Sequence, residues 1–223
     1  MTVTSPVQEP PGLAASLWAE TKALHLQAER SGVIGRILHN TAHRHEYAVF
    51  LRNLLPAYLA LEQGLERHRD TLGARRVAKP ETYRAAALAA DLFALAGEDW
   101  ETALPLLPAG VAYGRSVLAA GEDDGARLIA HAYARTLGDL SGGQIMQKLL
   151  GRTLRLGPEA LSFYRFDGIS DIGAFKAAYH TELDAAGREI ADPVVVVAEA
   201  ALAFRLNIAL SEAIPASPSQ ETI

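Results

Sequence analysis

Residues 133–151 read YARTLGDLSGGQIMQKLLG and place Gly138, Gly142 and Gly143 within six positions of a segment whose flanks look helical. Each glycine weakens a helix by about 1 kcal/mol relative to alanine, so this segment needs bare backbone more than helical propensity. At ~100° per residue Gly138 and Gly142 fall one turn apart on one face, with Gly143 beside them, and the three form a strip without side chains. A flat ligand could lie on that strip. The same residues would also permit a bend around Ser141 to Gly143, or a close helix–helix contact. Asp139 stands among the glycines, with Arg135 four residues before it on the same face, where the two could pair. An acid so placed can hold ordered water or move protons; its plainer reading is a solvated helix residue.

Seven histidines are candidate ligands: His25, His39, His43, His45, His68, His131 and His180. His39, His43 and His45 read as a surface cluster, and His68, among Arg67, Arg69 and Asp70, as an exposed helix end. His25 differs, because it borders the apolar stripe of the first helix with Glu29 four residues on and Lys22 three before. A carboxylate at that spacing can fix the tautomer of a metal-bound imidazole, although a lone helical histidine is more often structural. His131 is the internal rival, since seven residues of ideal helix put it on the same face as Gly138, although ~10 Å away along that helix.

The elements that must position these residues are all helical. Apolar spacing and stop signals predict helices over residues 13–30, 33–38, 45–68, 80–95, 99–104, 109–120, 124–150, 171–186 and 193–213, with Pro56 expected to kink the third. Asp192 and Pro193 form a start signal for the last. No alternating strand pattern or internal repeat interrupts residues 13–213, so one all-α domain is expected, preceded by a disordered leader at 1–12 and followed by a flexible polar tail at 214–223. Within a helical bundle, a cofactor site lies between facing helices.

Composition closes off several chemistries. The chain of 223 residues has no cysteine, which excludes disulfides, thiolate metal sites and cysteine nucleophiles. A net charge of −5 without a basic cluster argues against nucleic acid as a partner. The leader lacks a secretory pattern, and the apolar run at 194–210 is broken by Glu199, Arg205 and Asn207, so a cytoplasmic chain without a membrane anchor is expected.

TKALHLQAE followed by HAYARTLGDLSGGQ resembles the heme oxygenase family, and the likeness continues through NLLPAYLALEQGLERH, ETYRAAALAADL, FKAAYH and AFRLNIAL in the family's order. The resemblance covers most of residues 13–213. It implies a single helical domain holding heme, both substrate and cofactor, between a proximal helix with His25 and a kinked distal helix with Gly138 to Gly143. His25 would be the axial iron ligand, with Glu29 near its other ring nitrogen. Gly138, Gly142 and Gly143 would lie against the porphyrin, while Asp139 acts through ordered water, surrounded by Tyr58, Arg135 and Asn207.

The resemblance also places Phe204 beside the heme and Lys22, Tyr133 and Lys176 at its edge, where their charges or hydroxyl suit the propionates. Trp18 and His180 occupy positions where many relatives carry Lys and Arg, so this chain offers fewer permanent positive charges there. The implied reaction converts heme to biliverdin, carbon monoxide and iron with O2. The chain has no dinucleotide-binding glycine motif, so electrons are expected from a separate ferredoxin, flavoprotein or reductase, and a monomer is expected. The competing reading is a non-catalytic heme carrier or sensor with the same fold.

Overall fold

The computed structural model describes residues 11–217, and no strand occurs among them. Ten helices succeed one another in order: α1 Leu13–Arg30, α2 Gly32–Leu38, α3 Arg44–Arg67, α4 Ala85–Ala96, α5 Trp100–Ala103, α6 Pro108–Ala120, α7 Leu128–Ala132, α8 Gly138–Thr153, α9 Ile172–Glu189 and α10 Pro193–Ala213. The expected all-α architecture is therefore present. Most of the leader, residues 1–10, lies outside the described residues, as does the tail from 218.

α3 is the spine of the core, buried around most of its circumference through Tyr47, Leu51, Leu54 and Leu61. Pro56 does not interrupt it. α6 instead lies directly on that turn, where a Cβ on Gly114 would come within 2.9 Å of the Pro56 ring, so the contact requires glycine. α10 packs on α1, α6 and α7. By length and composition it could cross a membrane, yet Val196, Ala200, Ala203, Ile208 and Leu210 are buried in the core.

Three departures from the sequence reading have physical causes. The helix expected from Pro80 begins at Ala85, because the Glu62 carboxylate takes hydrogen bonds from the backbone N–H groups of Arg84 and Ala85, at 2.5 and 2.7 Å, and acts as a cap from another helix. His68 is buried rather than exposed, with Nε2 2.9 Å from the Gly121 carbonyl and Nδ1 3.3 Å from the Thr71 hydroxyl. Ile214 to Ser217, inside the stretch read as a flexible tail, are held in place: Ile214 is buried and its carbonyl accepts from Arg36, while the Ser217 N–H donates to Glu46.

The expected long helix over 124–150 is divided. Between α7 and α8, Tyr133–Leu137 is π-helical. A π segment adds about one residue per turn, so it rotates α8 relative to α7 about their common axis. His131 and Gly138 therefore do not share a face, and the α-helical arithmetic that paired them fails.

The end of α9 is tied to residues 73–76 by Glu189, which accepts from Gly73 N–H at 3.0 Å, Arg75 Nη2 at 2.8 Å and Arg76 Nε at 2.9 Å. The Arg75 and Arg76 guanidiniums and the Gly73 N–H hold its carboxyl far below the usual glutamate range. A carboxyl whose folded pKa is depressed contributes stability above its unfolded pKa and loses it as pH falls toward the folded value. Glu189→Gln is expected to lower the thermal midpoint at neutral pH, with the gap from the parent narrowing as pH drops below about 4.3. A gap independent of pH in thermal melts would contradict this ion-pair role.

Candidate functional site

α1, the π segment, α8, α9 and α10 line a cavity of about 630 Å³. On the α1 side stands His25. Its Nδ1 lies 3.6 Å from Glu29 Oε1, a charge contact longer than a hydrogen bond, and its ring sits between Trp18 and Phe204, with ring centroids 6.3 and 6.0 Å away. Nε2 makes no hydrogen bond among the described residues and is the nitrogen free to bind a ligand. The spacing on α1 explains this arrangement: Trp18 and Glu29 lie ~20° and ~40° from the His25 direction.

On the opposite wall α8 presents Gly138 and Gly142. A Cβ built on either meets nothing within 4 Å, so their backbone borders open space. Gly143 is different, since its Cβ would lie 3.1 Å from the Tyr164 ring. Gly138 and Gly142 thus border open space, while Gly143, also in the lining, sits against a packed aromatic. Tyr164 and its neighbour Phe163 are held under α8 by Asp91, whose buried carboxylate accepts from Ser162 N–H at 2.8 Å and Phe163 N–H at 3.0 Å.

Beside the glycines Asp139 is only 6% exposed and both its oxygens are engaged. Tyr58 Oη donates to Oδ2 at 2.5 Å and Arg135 Nη2 donates to Oδ1 at 2.8 Å. Arg135 also donates through Nε to Tyr58 Oη at 2.7 Å and through Nη1 to Asn207 Oδ1 at 2.9 Å. Burial pushes the Asp139 carboxyl above the usual range, while the Arg135 guanidinium and the Tyr58 hydroxyl pull it back. Asp139 and burial together lift Tyr58 far above the normal phenol value, burial being the larger cause. For Arg135, burial opposes the charge but Asp139, Tyr58 and Tyr113 outweigh it, and the guanidinium stays protonated.

The cavity collects thirteen of the residues singled out from sequence: Trp18, His25, Glu29, Tyr133, Arg135, Gly138, Asp139, Gly142, Gly143, Lys176, His180, Phe204 and Asn207 line it. Two do not. Tyr58 is buried behind Asp139 and acts on the cleft through it. Lys22 is exposed and outside the lining, turned ~60° from His25 around α1. Tyr133 lines the cavity, and its hydroxyl lies 3.2 Å from the Thr21 hydroxyl in a buried contact. His131 is out of the cavity, buried with Nε2 2.9 Å from Glu199.

Sequence reasoning missed Tyr113, Met146, Phe163 and Tyr164 in the lining. The aromatic pair lies in a connection without helical periodicity.

Among the described residues no three His, Asp or Glu side chains converge as a cage for a bare metal ion. The free His25 imidazole in a cavity bordered by a strip of backbone suits instead a metal that brings its own equatorial ligands in a flat macrocycle. The cavity walls are mainly apolar, with Lys176 and His180 among the lining. The residues therefore fit a porphyrin with carboxylate substituents.

Fold and cleft together define an all-helical protein built around a planar metal macrocycle. The chain belongs to the heme oxygenase family, whose model, described as Heme oxygenase, matches residues 11–213. It is 36% identical over 214 residues to heme oxygenase 1 of Gallus gallus, covering 94% of this chain and 72% of that protein. The solved structure of heme oxygenase-1 from the cyanobacterium Synechocystis sp. in complex with heme superposes with a TM-score of 0.83 at 31% identity, covering 90% of this chain and 91% of that one. The heme oxygenase of Leptospira interrogans gives a TM-score of 0.84 at 32% identity, covering 91% and 99%.

Removing one member of a buried ion pair strands the other. Arg135→Leu is expected to cost about 3–5 kcal/mol in denaturant unfolding, and Arg135→Leu with Asp139→Leu distinctly less than the sum of the single changes. Additive losses would show that the two side chains do not act as a unit.

Proposed function

We propose that this chain is a heme oxygenase that opens heme with O2 and external electrons to biliverdin, carbon monoxide and ferrous iron, using His25 and the α8 strip as its two faces. The observation that carries this reading is the free His25 Nε2 on one wall of an apolar cavity whose other wall is the side-chain-free backbone of Gly138 and Gly142. Bound heme supplies both the iron that activates dioxygen and the ring that is opened.

The protein's own residues do the rest. His25 would hold the iron through Nε2, with Glu29 beside Nδ1 to fix the ring's tautomer. Gly138 and Gly142 let the macrocycle approach the backbone and leave no bulky acid or base against the reacting oxygen. Asp139, held by Tyr58 and Arg135, orders water in the distal space and passes protons through it. Phe204 and Trp18 flank the proximal imidazole, and Lys176 with His180 meet the propionates. With Lys22 turned to solvent and Trp18 in place of a cation, Lys176 is the one permanent positive charge of the five edge residues that lines the cleft.

Electrons come from a separate donor, a ferredoxin, flavoprotein or reductase, docking near the heme edge. The chain works as a cytoplasmic monomer, with α10 serving as a core helix. Reconstitution with heme and a reductant such as ascorbate tests the reading: the expected result is loss of the Soret band with appearance of biliverdin, and a persistent Soret band without bilin would favour a carrier or sensor. Asp139→Ala is expected to reduce bilin formation about 10²-fold while heme stays bound. His25→Ala is expected to abolish the histidine-ligated heme spectrum, with added imidazole restoring it; the same loss on His131→Ala instead would overturn the ligand assignment.

A further inference from the structure

We propose that Met146 is a modification site in the cleft wall, oxidised to the sulfoxide by hydrogen peroxide formed there during heme turnover, and that the modified cleft binds heme less well. The sequence has two methionines, Met1 and Met146, and no cysteine, so Met146 carries the only sulfur atom after the first residue. Met146 belongs to the cavity lining. Met146 stands one helical turn beyond Gly142 on α8, is partly buried, and packs against the hydrophobic core. Ile34, Leu38 and Leu54 line the same cavity with hydrocarbon. Among these groups a thioether is the soft, oxidisable one.

The proposal rests on the heme reading of the cleft. An oxygen-using heme site that releases dioxygen after two electrons and two protons yields hydrogen peroxide. The Met146 sulfur attacks one peroxide oxygen through a lone pair, the O–O bond breaks, and an S–O bond forms. Sulfur is oxidised by two electrons, and the departing oxygen leaves as water with both peroxide hydrogens. The thioether thus becomes a sulfoxide with a strong acceptor in an apolar wall. The Arg135 guanidinium in the lining is already committed to Tyr58, Asp139 and Asn207, so it offers this oxygen no free donor. Because each turnover consumes the heme, the enzyme must rebind it, and a weakened cleft limits repeated cycles.

Tryptic cleavage after Arg135 and Lys148 isolates Met146 in peptide 136–148, TLGDLSGGQIMQK. Full-length protein is cycled with heme and ascorbate in air, tracking bilin absorbance and the mass of that peptide together; heme-free protein with ascorbate is the control. The expected result is a gain of one oxygen atom on Met146 that grows with bilin and is absent from the control. Heme-free protein is then oxidised with hydrogen peroxide, and its heme affinity is expected to fall about three- to tenfold. Met146→Leu, which keeps an apolar wall of similar volume, is expected to lose both the mass increment and the peroxide-induced fall in affinity.

If heme binds and no bilin forms, the reading of the function falls. If bilin forms over many cycles and peptide 136–148 gains no oxygen, this proposal alone falls. Unchanged heme affinity of protein carrying the sulfoxide at Met146 overturns its consequence.

Discussion

A helix that must show bare backbone to a cavity loses side-chain contacts on that face and has to be held from its other sides. In α8 this constraint organises much of the surrounding structure. Gly138 and Gly142 border open space, so they contribute no packing to the ligand-free fold. Support comes from Asp139 between them, fastened by Arg135 and Tyr58, and from Tyr164 seated against Gly143. The side chains that anchor the helix are thus the same ones that place a carboxylate next to the cavity.

The π-helical turn at Tyr133–Leu137 works in the same direction. It lets α7 bury His131 against Glu199 on α10, while the next turns direct Arg135 toward Tyr58 and Asn207 and aim the glycines at the cavity. α3 and α10 therefore each contribute one polar partner to Arg135, Tyr58 from the core and Asn207 from the cavity wall. A buried guanidinium with three hydrogen-bonded side chains keeps its charge, and that charge is what allows Asp139 to sit almost wholly out of water.

Much of this was legible in the sequence because helical spacing is strict. The glycine strip, the Arg135–Asp139 pair and the placement of Glu29 near His25 all derive from four-residue intervals, and the structure contains both side-chain pairs. Reading failed where the backbone left the α pattern or where a partner came from far along the chain. Seven residues of ideal helix put His131 on the Gly138 face, and the π turn removed it. Glu62 capping α4 and Asp91 gripping the Phe163 turn are contacts over more than twenty residues, which no local signal encodes. Tyr133 shows a subtler limit: its position at the cleft was readable, but its hydroxyl is engaged by Thr21, a buried polar residue with no marker of burial in the sequence.

The central claim is that Gly138 and Gly142 are glycine for the sake of a flat ligand and not for the fold. Gly142→Ala separates the two, because its new methyl group meets no protein atom within 4 Å. Ligand-free Gly142→Ala should unfold no more easily than the parent, and with up to about 1 kcal/mol more stability from the gain in helix propensity. Heme titration of the same variant should show weakened binding or an altered heme spectrum. A variant that loses stability without heme, yet binds heme like the parent, would contradict the account.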